Sequence, residues 1–188
     1  MAEQVDKACK NIGFFTIKGH GIDQDLIDST MKSAGSFFSL PVQEKLKIKQ
    51  PAKHISRGYT PFASEQLSAS LGNVAPPDLK EMVDIGPIDI PNEPYFNKSE
   101  AGDHFHPNLW PDTPGDFRKT IEKYYREMNA LADLLMEIFS IALHLNPIFF
   151  KDKLDKNISA LRLICYPDQD TRPKTGQLRT GEHTDYGT

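Results

Sequence analysis

The sequence predicts an α+β fold in which helices dominate the first 155 residues and strands become important after them. From residue 114 to about residue 145, apolar residues recur at three- and four-residue steps, as on the buried side of an amphipathic helix. Two shorter segments near the N-terminus show the same spacing. By contrast, "SALRLICYP" alternates in polarity and ends at Pro167, which is typical of a strand with one buried face.

The N-terminal elements follow from local signals. Residues 2–11 are predicted to form a helix that Gly13 ends, and the aromatic and β-branched segment "GFFTIKG" predicts a strand directly after it. Asp23 is a suitable N-cap for a second helix, and its apolar positions again share one side. Pro41 should end that helix and start a short third one.

The middle of the chain is predicted to be mainly loop. Residues 53–114 are rich in Pro, Gly and Asn, and only "MVDIG" in this range indicates a clear strand. Thr113 is a candidate cap for the long helix, with Pro114 in its first turn. A short helix is expected near "PIFFKDKL", before the alternating strand.

Composition narrows the class of function. A chain of 188 residues predicts one domain, and a net charge of -4 without a basic run argues against electrostatic binding of nucleic acid. Neither a signal peptide nor a run of about 18 apolar residues occurs, so we expect a cytoplasmic protein that acts on small molecules and not on membranes. Cys9 and Cys165 are expected to be reduced thiols, with Cys9 buried on its helix.

The strongest candidate for a chemical site is a His-x-Asp pattern near the end of the sequence. If this segment is extended, His183 and Asp185 point to the same side, because side chains alternate along a strand. Imidazole nitrogen and carboxylate oxygen are donors of the 2-His-1-carboxylate site that holds non-haem Fe(II), whereas a closed zinc site takes four protein donors. Such a triplet also occurs by chance, so the pair alone is also compatible with two residues that bind no metal.

Other candidates have simpler interpretations. His104 and His106 are also one residue apart, but they lie in a Pro-flanked loop and are interpreted as solvated or structural; His20, in a Gly-flanked turn, is interpreted as a local hydrogen-bonding residue. Arg57 and Tyr59 in "RGYT" fit a structural pair better than a substrate contact. The sequence contains no G-x-S-x-G elbow, no P-loop and no G-x-G-x-x-G motif.

Six stretches resemble, in order, the isopenicillin N synthase-like family of Fe(II)- and 2-oxoglutarate-dependent dioxygenases. They are "ACKNIGFFTIKGHGI", "FFSLPVQEK", "RGYTPF", "NLWP", "LRLICYP" and "TGEHTDYGT". Each stretch is unspecific by itself. The ordered set, which ends in H-T-D-Y-G-T and spans almost the whole chain, is specific to this family.

The resemblance implies a double-stranded β-helix, or jelly roll, preceded by a helical region. Residues 1–155 would be the family's N-terminal region and residues 156–188 the start of the jelly roll, present only as its N-terminal part. His183 and Asp185 would be the first two iron ligands, and Tyr166 would lie near the cosubstrate or substrate. Tyr166 is equally compatible with a half-buried strand residue, and Ile164 stands where relatives often carry Asn.

The resemblance also implies a reaction. Its members oxidise small organic molecules by hydroxylation, desaturation or ring closure, using Fe(II), molecular oxygen and usually 2-oxoglutarate, with ascorbate as a further candidate cofactor. The family's third ligand, a second His, and the Arg and Ser or Thr that bind 2-oxoglutarate would follow after Thr188. We therefore expect an inactive fragment of an oxygenase; the alternative is a non-catalytic binding or interaction module. Substrate and oligomeric state are not indicated.

Overall fold

The structure, a computed structural model, describes residues 1–67, 72, 75–170 and 172–183. The α-helices are α1 (Ala2–Asn11), α2 (Gln24–Phe38), α3 (Val42–Leu46), α4 (Ser99–Gly102) and α5 (Phe117–Ala142). The strands β1 (Gly58–Thr60), β2 (Glu81–Ile85) and β3 (Leu161–Cys165) form an antiparallel sheet in the order β1-β2-β3. These elements confirm the predicted α+β class.

The chain divides into two compact units. Unit 1 combines Met1–Lys32 with Arg118–Ile158, and unit 2 combines Ser33–Phe117 with the chain from Ser159 onward. Each unit therefore joins segments that are distant in sequence. The predicted division between residues 155 and 156 refers to family regions and stays a prediction.

Unit 1 is helical. Ile121 and Val5 are among its buried residues, and Phe15 packs edge-on against Phe139 with ring centroids 6.2 Å apart. A groove of about 250 Å³ runs between the start of α1, residues 15–20 and the Leu-rich part of α5. Among the described residues, no helix is long and apolar enough to cross a membrane.

Unit 2 is built around its sheet. All five residues of β2 are buried, and Phe37, Tyr59 and Phe117 pack their rings together nearby. Two of the buried β2 residues are acidic, and burying a carboxylate is favourable only when it is paired. Glu81 accordingly contacts Lys45, and Asp84 contacts Arg162 on β3.

Several predicted boundaries are confirmed. Helix α1 spans residues 2–11 and is followed by Gly13 at φ +82°, and the Asp23 carboxylate accepts a hydrogen bond from the Asp25 N–H at 3.0 Å. Helix α3 begins after Pro41. Strand β2 begins one residue before "MVDIG", and β3 lies within "SALRLICYP". A short 3-10 helix, Lys151–Lys153, lies in "PIFFKDKL".

The strand predicted in "GFFTIKG" is wrong. The segment has no regular structure, and Phe14 is 81% exposed. A strand needs a neighbour to bond its N–H and C=O groups, and no described strand runs beside this one. The apolar character of the segment instead reflects packing, since Phe15 and Ile17 line the unit 1 groove.

Three smaller expectations are also corrected. Helix α5 begins at Phe117 and not at Pro114, because residues 112–116 form bends and a turn in which the Phe117 N–H donates to the Pro114 carbonyl. Cys9 is exposed, since α1 turns Val5 and not Cys9 inward. Strand β1 lies in the region predicted to be loop; its short sequence becomes a strand through pairing with β2.

Candidate metal centre

The segment that leads to His183 is attached to the chain just before β2. The Leu79 N–H donates to the Leu178 carbonyl at 2.9 Å, and the Gln177 side-chain amide donates to the Pro77 carbonyl at 3.0 Å. These bonds join parts of the sequence that are about 100 residues apart. They place residues 177 and 178, a few positions before His183, beside the residues that precede β2.

His183 is oriented by a main-chain group of its own segment. Its Nδ1 lies 2.9 Å from the carbonyl oxygen of Gly181. Because a carbonyl only accepts hydrogen bonds, Nδ1 carries the proton in this contact and the ring's lone pair lies on Nε2. This is the tautomer in which a histidine binds a metal through Nε2.

The partner predicted for His183 lies outside the described residues. Asp185 is in the range 184–188, so its predicted role and its strand spacing from His183 stay predictions. Residues 181–183 form no strand. In the described part of the chain, no group of three or more His, Cys, Asp or Glu residues is placed to hold a metal ion.

Tyr166 contacts the segment that leads to His183. Its phenol oxygen lies 2.8 Å from Thr180 Oγ1, which donates the hydrogen bond, and its side chain is 39% exposed. Tyr166 follows the end of β3, where alternation places it on the side of Arg162 and Ile164. A half-exposed tyrosine tied to the His183 segment is compatible with both interpretations of this residue, and its cosubstrate role stays a prediction.

Asp78 was not identified by sequence reasoning. It is 2% exposed, and its Oδ1 accepts the Gly181 N–H at 3.0 Å while its Oδ2 accepts the Leu67 N–H at 3.1 Å. Lys80 Nζ lies 3.5 Å from the same carboxylate and 3.1 Å from Glu65. No local pattern reveals this role, because Asp78 and Gly181 are 103 residues apart.

The orientation of β3 depends on an ion pair across the sheet. Arg162 donates from Nε to Asp84 Oδ1 at 2.7 Å and from Nη2 to Oδ2 at 3.2 Å. The two residues are also partners in the β2–β3 register. Two parallel hydrogen bonds fix the geometry of both groups, so the pair holds the strand that ends just before Tyr166.

Arg57 and Tyr59 are structural, as predicted. Arg57 is 2% exposed and donates to the main-chain carbonyls of Ser56, His104 and His106. Tyr59 is 1% exposed and donates to Glu81 Oε2 at 2.5 Å. The loop histidines therefore contribute their carbonyls to this structure.

His20 and Cys165 were also singled out in the sequence. His20 Nδ1 accepts the Ile22 N–H at 3.2 Å, which confirms a local hydrogen-bonding role. Burial, assisted by the nearby Glu81 carboxylate, raises the pKa of the Cys165 thiol. A thiol with a raised pKa is a poor nucleophile at neutral pH, and this argues against a nucleophilic role for Cys165.

More than half of the chain matches a known protein family. Residues 1–113 match the model of the "non-haem dioxygenase in morphine synthesis N-terminal" family. This range contains β1, β2 and Asp78.

Individual relatives match over the whole chain. A 2-oxoglutarate-Fe(II) type oxidoreductase of Emericella nidulans is 31% identical over 194 residues, which cover 100% of this chain and 53% of the relative. A homoarginine-6-hydroxylase of Arabidopsis thaliana is 32% identical over 190 residues, covering 100% and 54%. The crystal structure of a full-length Neurospora crassa protein in complex with alpha-KG is 28% identical, with a TM-score of 0.79 and coverage of 100% and 55%. The chain thus spans about half the length of these relatives.

Proposed function

The chain belongs to the non-haem dioxygenase family whose N-terminal model it matches, and on this premise we propose that it forms the N-terminal part of an Fe(II)- and 2-oxoglutarate-dependent oxygenase. The substrate would be a small organic molecule that is hydroxylated, desaturated or cyclised. The observation that carries the proposal is similarity along 100% of the chain to a relative named as a 2-oxoglutarate-Fe(II) type oxidoreductase. We call this chain, joined to a C-terminal half like that of its relatives, the complete oxygenase.

The donor types of His183 and Asp185, an imidazole nitrogen and a carboxylate oxygen, are those of an iron site. His183 donates from Nδ1 to the Gly181 carbonyl, which leaves the lone pair of Nε2 available for a metal. We assign Nε2 of His183 and the carboxylate of Asp185 as two Fe(II) ligands, with a third from the C-terminal half. Bound there with 2-oxoglutarate and oxygen, Fe(II) would supply the oxidising chemistry.

The described residues around His183 would position this site. Asp78 and Thr180 hold the segment that carries His183, the former through Gly181 and the latter through Tyr166. The Asp84–Arg162 pair holds β3, which ends beside Tyr166. We propose that this sheet opens a jelly roll, in which Tyr166 faces the cosubstrate or substrate.

The decisive test is removal of each assigned ligand in the complete oxygenase. Asp185→Ala and His183→Ala should each abolish Fe(II)-dependent conversion of 2-oxoglutarate to succinate, because each removes a direct bond to the metal. Asp168→Ala is a matched control, since that carboxylate is fully exposed and its ion pair with Arg179 is long, at 3.7 Å. Turnover unchanged in Asp185→Ala would overturn the assignment.

The proposal of a longer oxygenase has an independent test. Sequencing the transcript beyond the codon for Thr188 should give an in-frame continuation with a second His, followed by an Arg and a Ser or Thr. An immediate stop codon would contradict it and favour a non-catalytic binding module.

A further inference from the structure

Gly181 is held at both of its main-chain polar groups. Its N–H donates to Asp78 Oδ1 at 3.0 Å, and its carbonyl lies 2.9 Å from His183 Nδ1. One residue therefore connects a carboxylate from before β2 with the imidazole of the His-x-Asp motif. The position of the carbonyl that orients His183 depends on what holds Gly181.

Asp78 is itself well fixed. It is 2% exposed, and its second oxygen accepts the Leu67 N–H at 3.1 Å. Its own carbonyl accepts the Lys80 N–H at 2.9 Å, and Lys80 Nζ lies between the Asp78 and Glu65 carboxylates. A buried carboxylate with two N–H donors and a neighbouring cation has little freedom to rotate, so it fixes Gly181.

We propose that Asp78 is a positioning residue for the iron ligand His183, acting through Gly181. Histidines that bind metals usually donate their other ring N–H to a carboxylate or carbonyl, which sets both tautomer and ring orientation. Here the acceptor is the Gly181 carbonyl, and Asp78 holds it in place from 103 residues away. The inference rests on the proposed function, since it concerns the metal ligand assigned there.

Asp78→Asn in the complete oxygenase tests the link. The amide has one oxygen in place of two and no charge, so Gly181 either loses its acceptor or keeps a weaker, uncharged one, and the positive Lys80 loses a charged neighbour. Fe(II) titrated into the apoprotein under anaerobic conditions should bind about 10- to 100-fold more weakly than to wild type, the range that such outer partners produce. Amide hydrogen exchange at Gly181 should accelerate in the same variant without iron.

Glu81→Gln is the matched control. Glu81 is another buried carboxylate of unit 2, and it accepts side-chain hydrogen bonds from Lys45 and Tyr59, which belong to α3 and β1 and not to the His183 segment. This variant should be destabilised by the loss of charge but keep wild-type Fe(II) affinity and Gly181 exchange. Equal loss of Fe(II) affinity in both variants would reduce Asp78 to a general contributor to stability.

The other outcomes separate the two proposals. Wild-type protein that binds no Fe(II) overturns the proposed function. Wild-type protein that binds Fe(II), together with an Asp78→Asn variant of unchanged affinity, overturns this inference alone. If Asp78→Asn does not fold, the wild-type apoprotein decides: a Gly181 amide that exchanges as fast as an exposed loop amide contradicts the Asp78 bond, and slow exchange supports it.

Discussion

Lys45 Nζ lies 2.7 Å from Glu81 Oε2, and both side chains are less than one-tenth exposed although 36 residues separate them in sequence. Lys45 also donates to the Phe38 carbonyl at 3.0 Å, and Tyr59 donates to the same Glu81 oxygen. The pair thus connects α3, the end of α2 and the centre of the sheet. A buried charge in such a network depends on its partner, because neither group retains water as an alternative.

Lys45→Met should therefore destabilise the complete oxygenase strongly. It leaves the Glu81 carboxylate buried without its cation, and breaking a buried pair in this way costs about 3 to 5 kcal/mol of unfolding free energy. Urea denaturation followed by fluorescence measures the loss. The double variant Lys45→Met with Glu81→Leu should recover part of it, since the uncompensated charge is gone.

Lys47→Met is the control for this experiment. Lys47 pairs with Glu44 at the same 2.7 Å, but both side chains are largely exposed, and exposed pairs contribute little. Its unfolding midpoint should stay close to that of wild type. Equal effects of Lys45→Met and Lys47→Met would show that burial does not strengthen the Lys45 contact.

Tyr59 should make stability depend on alkaline pH. Burial, together with its hydrogen bond to Glu81, raises the pKa of the Tyr59 phenol well above the usual value of about 10. Since the unfolded chain releases this proton first, the stabilisation is complete below pH 10 and is lost as the pH rises from there through the folded-state pKa. In Tyr59→Phe, unfolding free energy should fall less steeply above pH 10.

Ultraviolet titration at the phenolate band gives a direct check. The phenolate signal of Tyr59 should appear only when the protein unfolds, because burial raises the pKa of this phenol in the folded protein. If the phenolate absorbance at pH 11 is the same for folded wild type and Tyr59→Phe, Tyr59 is still protonated. A wild-type amplitude that is larger by one phenolate in the folded protein would contradict the raised pKa.

Gly86→Ala should destabilise unit 2. A Cβ at this position would overlap the guanidinium of Arg57, which is buried and holds the carbonyls of His104 and His106. The methyl group must displace Arg57 and leave those carbonyls without their donor, a loss of about 1 to 3 kcal/mol or more. Thermal unfolding of the complete oxygenase measures the change.

Gly35→Ala is the matched control for that substitution. Gly35 is exposed inside α2, and no atom lies within 4 Å of an added Cβ. Replacing glycine inside a helix should raise stability by about 0.5 to 1 kcal/mol. A Gly86→Ala variant as stable as Gly35→Ala would show that Arg57 relaxes without loss.

The sequence predicts those elements whose causes are local. The apolar spacing and the Asp23 cap predicted α2, and the long apolar stripe predicted α5, although the predicted start at Pro114 is three residues too early. A similar local argument failed for "GFFTIKG", because β-propensity describes a residue that fits a sheet and does not supply the neighbouring strand. Conversely, β1 has a weak local signal and forms through its pairing with β2.

In the candidate site, too, the sequence reveals residues with a local pattern and misses those that depend on distant contacts. His183 was found from a short pattern, and the structure adds the hydrogen bond that selects its tautomer. Asp78 was not found, because a buried Asp before a strand has no distinctive spacing until Gly181 lies against it. The role of Asp185 rests on the sequence pattern and the resemblance, and Asp185→Ala is its test.

The 188-residue chain alone should not perform the reaction. It supplies two assigned ligands, and losing a direct metal donor changes affinity more than the roughly 10- to 100-fold caused by outer partners. Purified chain incubated with Fe(II), 2-oxoglutarate and ascorbate should form no succinate above a protein-free control. Succinate formation that depends on His183 would show that this chain holds a sufficient iron site.

The last prediction concerns the folding of this chain by itself. Among the described residues, β3 has a neighbour on one side only, and Ile158, Ile164 and Leu178 are each at least 43% exposed. An unpaired strand edge and exposed apolar side chains each promote association. We expect the isolated chain to be helical by far-ultraviolet circular dichroism, to unfold over a broad temperature range and to aggregate, and we expect the complete oxygenase to unfold cooperatively. Thermal scans combined with analytical ultracentrifugation distinguish these states. A soluble monomer of the isolated chain with a sharp two-state transition would contradict the prediction, because it would show that the two units need no further strands, and it would favour an independent binding module.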